Sequence, residues 1–158
     1  MPTIHLREVE LTDLSIFFEQ QRDPLAVHMA AFTAANPDDR AAFDYHWARI
    51  LADQNTLIRA VVVDGAVAGS VSSYVDELGP EVTYWLGREF WGRGVATAAL
   101  SQFLRLQTTR PIYARAATDN AASLRVLMKC GFVIIGESMG YANARGQEIS
   151  EYTLELQT

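Results

Sequence analysis

The residues with the clearest capacity for chemistry lie in Thr83-Tyr-Trp-Leu-Gly-Arg-Glu-Phe-Trp-Gly-Arg-Gly-Val-Ala-Thr-Ala-Ala-Leu100. An aromatic-rich extended run leads into a Gly-Arg-Gly turn, and a helical pattern follows. Glycines reach backbone conformations closed to other residues, so successive N–H groups in such a turn can converge on one point. The positive end of the following helix dipole reinforces that field. The chemistry this suits is the binding of a phosphate or pyrophosphate. A dinucleotide fingerprint needs a third glycine where Thr97 stands, and a nucleoside-triphosphate loop needs Gly-Lys-Ser/Thr; neither is present. Taken alone, Gly-Arg-Gly is more readily a tight turn with no ligand than a phosphate site.

The elements that must hold this turn follow from hydrophobic periodicity. Thr3 to Val9 predicts a strand with Ile4, Leu6 and Val9 inward, and Leu11-Thr-Asp opens a helix carrying Leu14, Phe17 and Phe18. Pro24 to Pro37 is Ala-rich and less regular, and Asn36-Pro-Asp-Asp opens a helix running to about Ala52. Leu57 to Val63 and Val67 to Val75 form a hairpin about Asp64-Gly65, and Glu81 to Leu86 is the next strand. After the turn, Ala96, Ala99, Leu100, Phe103 and Leu104 share one helical face. Ile112 to Ala117 is a strand, Asp119-Asn120 caps a helix whose buried stripe is Leu124, Leu127 and Met128, and Gly131 ends it. Phe132 to Glu137 and Glu148 to Leu156 close the chain around a Gly140-to-Gly146 loop. The order β-α-α-β-β-β-α-β-α-β-β describes a single mixed α/β domain over residues 1–158, its sheet mostly antiparallel.

Composition narrows the partners. The 158 residues suffice for one sizeable core, and 49% hydrophobic with 20% charged residues is a globular balance. A net charge of −6 argues against nucleic acid, whose phosphates want a basic face. Cys130 is the single cysteine, so no internal disulfide forms. No leader pattern or membrane-length apolar run is present, which predicts a cytoplasmic protein without a membrane partner.

Two segments carry a resemblance to a known family. Phe90-Trp-Gly-Arg-Gly-Val-Ala-Thr97 resembles the Arg/Gln-x-x-Gly-x-Gly/Ala signature of the acyl-CoA N-acyltransferase (GNAT) superfamily. Trp91 stands where many members have Arg or Gln; the ribosomal-protein N-acetyltransferase (Rim-like) branch often carries Trp-Gly-Lys/Arg-Gly here, so the resemblance is closer to that branch. Asn120-Ala-Ala-Ser-Leu-Arg-Val-Leu-Met-Lys-Cys-Gly-Phe132 is similar to the family's Asn-x-x-Ser/Ala helix ending in Gly-Phe. The resemblance implies a central, twisted, mostly antiparallel sheet of about six to seven strands flanked by about four helices. It also implies acetyl-CoA as co-substrate, no metal, and transfer of the acetyl group to a primary amine by direct attack in a ternary complex.

The resemblance assigns sites residue by residue. The N–H groups of Trp91, Gly92, Arg93, Gly94, Val95, Ala96 and Thr97 would hold the pyrophosphate. Arg93 would add charge at the rim or be a solvated arginine, and Trp91 would cover the cofactor or, the favoured reading, pack in the core. Backbone groups of Tyr84, Trp85, Leu86 and Gly87 would meet the pantetheine amides, and Asn120 would reach the same arm, cap its helix, or both. Amine attack requires a neutral nitrogen, hence a base. Glu81 is the choice, with Glu151 and His28 as alternatives, and a solvated structural glutamate as the plain reading. Leu127 occupies the place where many members put an acidic tyrosine, which leaves either Ser123 as the acid or, since a thiol of pKa about 8.5 departs as a fairly stable thiolate, no acid at all. An acceptor pocket is expected around His28, Phe32 and Tyr141, and a homodimer is one possible assembly. The missing tyrosine also motivates a second reading, a non-catalytic acyl-CoA-binding module.

Overall fold

Asp64 and Gly65 both sit at positive φ (49° and 83°), the geometry whose twist matches that of paired strands. In the computed structural model, which describes residues 2–158, this turn joins β2 (Leu57–Val63) to β3 (Ala66–Asp76). Before them come β1 (Ile4–Arg7), α1 (Asp13–Gln21), α2 (Pro24–Ala30) and α3 (Arg40–Ala52). After them come β4 (Gly79–Leu86), α4 (Val95–Leu106), β5 (Ile112–Ala117), α5 (Ala121–Lys129), β6 (Val133–Ala142) and β7 (Gln147–Leu156). The strands form one sheet in the order β1-β2-β3-β4-β5-β7-β6, antiparallel except where β4 meets β5. The mixed, mostly antiparallel seven-stranded architecture is the one expected from the sequence.

Each face of the sheet buries its own core. Val95, Ala99, Leu100 and Phe103 of α4, with Leu127 of α5, pack on Val61, Val71, Val82, Ile112 and Leu154. The other face carries an aromatic cluster: Phe17 stacks on Trp47 at 5.1 Å and Phe18 meets Phe43 edge-on at 5.2 Å. Between the two cores the sheet opens. Strands β4 and β5 share one register pair, Glu81 with Tyr113, and do not pair beyond it. That divergence leaves strand-edge backbone groups without the neighbour a continuous sheet would give them.

The first turn of α1 is fixed by a buried ion pair. Asp13 is 2% exposed, and its carboxylate takes both Arg7 nitrogens (2.7 and 3.0 Å) and the Glu10 N–H (2.8 Å). The Arg7 hydrogen bonds hold its pKa below the ordinary carboxylate value despite burial. A lowered folded-state pKa gives stability that is present above the unfolded pKa and lost as pH falls through the folded one. Asp13→Asn should therefore cost about 2 kcal/mol in urea unfolding at pH 7, with the gap to wild type closing in acid.

The structure corrects several expectations. Pro24 to Ala30 is a helix rather than irregular chain, making five α-helices among the described residues; Pro24 opens it and Asp23 caps the Leu25 N–H at 3.2 Å. The third helix starts at Arg40, not at Pro37, because Asp39 caps the Ala42 N–H while Asn36 is used in a separate turn on Asp38. Met128 is 48% exposed; the inward face of α5 runs through Leu124, Leu127 and Cys130 instead. Strand β6 continues through Gly140 to Ala142, so the loop shrinks to residues 143–146, because its ladder with β7 holds to the pair Ala142–Gln147.

Candidate active site

The turn before α4 has unpaired donors. Gly92 and Gly94 take φ of 71° and 75°, and the helical ladder begins only with the Ala98 N–H on the Gly94 carbonyl (3.1 Å). Among the described residues, the N–H groups of Gly92, Arg93, Gly94, Val95, Ala96 and Thr97 donate to no acceptor. A Cβ placed on Gly92 or Gly94 would meet nothing within 4 Å, so the space beside these donors is open. Consecutive free donors at the positive end of a helix, with room beside them, fit a pyrophosphate. Val95 contributes its backbone only, its side chain being in the core, and the exposed Arg93 guanidinium lies 5.8 Å from the Phe90 ring centre.

Two neighbours of the turn depart from expectation. Trp91 is not a core residue: it is 38% exposed, its indole N–H donates to the Leu86 carbonyl at 3.1 Å, and its backbone N–H, expected to face the pyrophosphate, donates instead to the Arg88 carbonyl at 3.1 Å. The Gly87 N–H donates to Ala68 (2.9 Å) and its carbonyl accepts from Phe90 (3.0 Å). Gly87 therefore has neither backbone group free for a ligand, and the Leu86 carbonyl already holds a donor. The 3-10 turn Arg88–Phe90 takes the Gly87 carbonyl, β3 takes the Gly87 N–H, and the Trp91 indole takes the Leu86 carbonyl.

A cleft of about 950 Å³ runs from the cradle through the gap between β4 and β5. Gly94, Ala96, Thr97, Asn120 and Ser123 line one part, and Met29, Phe32, Tyr74, Glu81, Arg115 and Glu151 another. Glu81, only 7% exposed, is held at both oxygens: the Tyr74 hydroxyl donates to Oε2 (2.6 Å) and Arg115 Nε lies 3.2 Å from Oε1. Arg115 also reaches Asp76 (3.5 Å) and, more distantly, Glu151 (3.8 Å). Three carboxylates thus share one guanidinium. Glu151 has the loosest partner of the three, and burial raises its carboxyl above the ordinary value. Burial, with the hydrogen bond to Glu81, likewise keeps the Tyr74 phenol protonated by raising its pKa. Tyr74 and Arg115 escaped sequence reasoning. The available signal was the β3–β4 hairpin, whose register sets Tyr74 opposite Glu81.

On the opposite face of β4, the Tyr84 hydroxyl lies 3.3 Å from Ser123 Oγ. Asn120 accepts the Ser123 N–H through its side-chain oxygen (3.2 Å) and donates to the Met29 carbonyl (3.2 Å), so it both caps α5 and ties it to α2. Leu127 is fully in the core. Of the expected acceptor-pocket residues, only Phe32 lines the cleft. His28 is exposed and does not line it, because the helix turns Ala26, Met29 and Ala30 inward; this also removes His28 as a candidate base. Tyr141 is 60% exposed and outside the cleft, since strand alternation sends Gly140 and Ala142 inward on either side of it. Among the described residues, no group of His, Cys, Asp and Glu is arranged to hold a metal ion, and no helix is long and apolar enough to cross a membrane.

This arrangement has relatives. The acetyltransferase (GNAT) domain family matches residues 3–133. YdaF of Bacillus subtilis (strain 168), whose name assigns it provisionally as a ribosomal N-acetyltransferase, is 29% identical, with 78% of this chain and 74% of that protein covered. Mycobacterium smegmatis RimJ, solved in complex with CoA-disulfide, superposes with a TM-score of 0.82 at 20% identity, over 98% of this chain and 82% of that one. Spermidine N-acetyltransferase from Vibrio cholerae, solved in complex with CoA and spermine, gives 0.81 at 16% identity, over 98% and 95%.

Proposed function

The chain belongs to the acetyltransferase (GNAT) domain family, an acetyl-CoA-dependent N-acetyltransferase by that membership, and on that premise we propose which of its residues serve the reaction. The observation that carries the assignment is the run of free N–H groups from Gly92 to Thr97 facing an open cleft. These groups hold the pyrophosphate of acetyl-CoA, and the pantetheine arm follows the gap between β4 and β5, where Asn120 and Ser123 border it. When bound, acetyl-CoA supplies the activated thioester carbonyl; everything else is positioning and proton handling by this chain.

The acceptor is a primary amine that arrives as an ammonium ion at the Asp76, Glu81 and Glu151 carboxylates, which share the single Arg115 guanidinium as their ion-pair partner among the described residues. Glu81, clamped by Tyr74 and Arg115, is the fixed anion that orients the nitrogen. Glu151 takes the proton, directly or through a water, because its raised pKa and loose partner suit a base better than a carboxylate engaged at both oxygens. Phe32, Met29 and Tyr74 shape the acceptor's path, and the relatives' ribosomal and polyamine acceptors make protein N-termini and polyamines the first compounds to try. A homodimer contact is assigned to the free edge of β6, where the exposed Val133, Ile135 and Met139 have no lysine or proline beside them to discourage pairing. Sedimentation at rising concentration tests that contact.

Calorimetric titration of acetyl-CoA, followed by a CoA-release assay across a panel of N-terminal peptides, polyamines and small amines, tests the function. Micromolar binding and amine-dependent release are expected. Absence of binding at millimolar acetyl-CoA would remove the reading.

A further inference from the structure

Resting on that function, we infer that Tyr84 is a positioning residue for the leaving thiolate: its hydroxyl orients and polarises Ser123, and the two hydroxyls form a relay that stabilises the departing sulfur. The position from which many relatives supply a tyrosine is here Leu127, buried in the core and without a hydroxyl to donate. The chain instead brings a phenol from the sheet. Tyr84 projects from β4 to the face covered by α4 and α5, whereas Glu81, three residues earlier, projects to the opposite face beside Tyr74. The β4–β5 gap lies beside both. An amine met by carboxylates on one face and a sulfur met by hydroxyls on the other approach and leave the carbonyl carbon from different sides.

The phenol is the more acidic of the two hydroxyls, so in the relay it is the donor and the serine oxygen the acceptor. Tyr84 donates to Ser123 Oγ at 3.3 Å, and among the described residues the serine hydroxyl has no acceptor for its own hydrogen. Ser123 and Tyr84 both line the cleft, so that hydrogen is available to a group in the gap. The distance is long for a hydroxyl pair, as such contacts often are before the substrate tightens them. Burial raises the Tyr84 phenol above its ordinary value, so it remains a donor through the range where the enzyme works. Cys130, the titratable neighbour of Tyr84, is also raised by burial and stays neutral there. Arg125 and Lys129 of α5 line the same cleft; Glu81, Glu151 and Arg115 line it from the other face of the sheet.

The step balances within the acetyl transfer. The amine nitrogen forms a bond to the carbonyl carbon, the carbon–sulfur bond breaks, and its electron pair goes to sulfur. The Ser123 hydroxyl donates to that sulfur while accepting from Tyr84. The amine's proton, taken on the carboxylate side, leaves to solvent, and one proton from solvent completes the CoA thiol. Neither hydroxyl is consumed.

The test reads the ligand rather than the rate. CoA labelled with carbon-13 beside its sulfur is bound to wild type, Tyr84→Phe and Ser123→Ala, and the thiol is titrated by its chemical shift. A hydrogen bond to a charged group has a size that predicts a bound-thiol pKa about one to two pH units higher in each variant. The double variant should match Ser123→Ala alone, since Tyr84 acts through the serine. In turnover, Tyr84→Phe should lower kcat roughly tenfold with little change in acetyl-CoA affinity. Should Tyr84→Phe fail to fold, Ser123→Ala reports the same thiol shift. An unchanged thiol pKa in the variants, or a full Tyr84→Phe effect in the Ser123→Ala background, overturns the relay while leaving the proposed function standing. Failure of CoA to bind wild type at all overturns both.

Discussion

Gly94→Glu should remove measurable acetyl-CoA binding in calorimetry, with affinity falling about a thousandfold or more. Two effects combine. Gly94 occupies left-handed backbone at φ 75°, where any residue with a Cβ pays about 1–2 kcal/mol. The larger effect is electrostatic, because a carboxylate placed among the free N–H groups of residues 92–97 competes for the donors and repels the pyrophosphate. Gly94→Ala separates the two: its methyl meets nothing within 4 Å, so it should lower Tm by a few degrees while retaining most of the affinity. Arg93→Glu places a carboxylate on an exposed neighbour and removes a cation, a change of two charges against one, yet should weaken binding only several-fold because that side chain extends into solvent beside Phe90. Unchanged affinity in Gly94→Glu would mean the open turn is not the phosphate site.

Glu151→Gln should lower kcat by about a hundredfold, the usual contribution of a positioned base, and should at the same time stabilise the protein at neutral pH. The sign follows from its pKa. Burial, and secondarily the Glu81 charge, raise the folded-state value against the opposing pull of Arg115. The folded state therefore binds more protons than the unfolded state around that pKa, and stability falls as pH rises through the range. Glutamine cannot ionise and escapes the penalty, so its Tm advantage should appear as pH rises past the carboxylate range. The acidic limb of kcat/KM in wild type should lie above the ordinary carboxylate value and vanish in the variant. Full activity in Glu151→Gln would return the base to Glu81, whose Gln variant under the present assignment mainly raises the acceptor KM.

What the sequence determined and what it did not differ in kind. Local signals were sufficient for the hairpin at Asp64-Gly65, the apolar face of α4, the Asn120 cap and the glycine turn, because each is decided by residues within a few positions of one another. The order of elements, with two motifs at the proper separation, was sufficient for the family. Errors came where neighbouring signals competed: the Pro24-to-Pro37 segment read as irregular although Pro24 opens α2, and Asn36-Pro37 drew the helix start away from Asp39. His28 and Tyr141 looked suitable for an acceptor pocket by type, and only the phase of a helix and of a strand turned them outward.

Tertiary structure alone decided the chemistry of the cleft. Tyr74, Glu81, Arg115 and Glu151 come from β3, β4, β5 and β7, and their charges meet because those strands are neighbours in the sheet. The free edge between β4 and β5 has the same origin, since a ladder stops by the paths of two strands and not by any residue in either. Tyr84 and Ser123 are 39 positions apart and meet across the two layers. Conformational preference acts over a turn of chain, and so it is legible in the sequence; hydrogen bonds and charge pairs act through space, and only the folded chain determines which of them form.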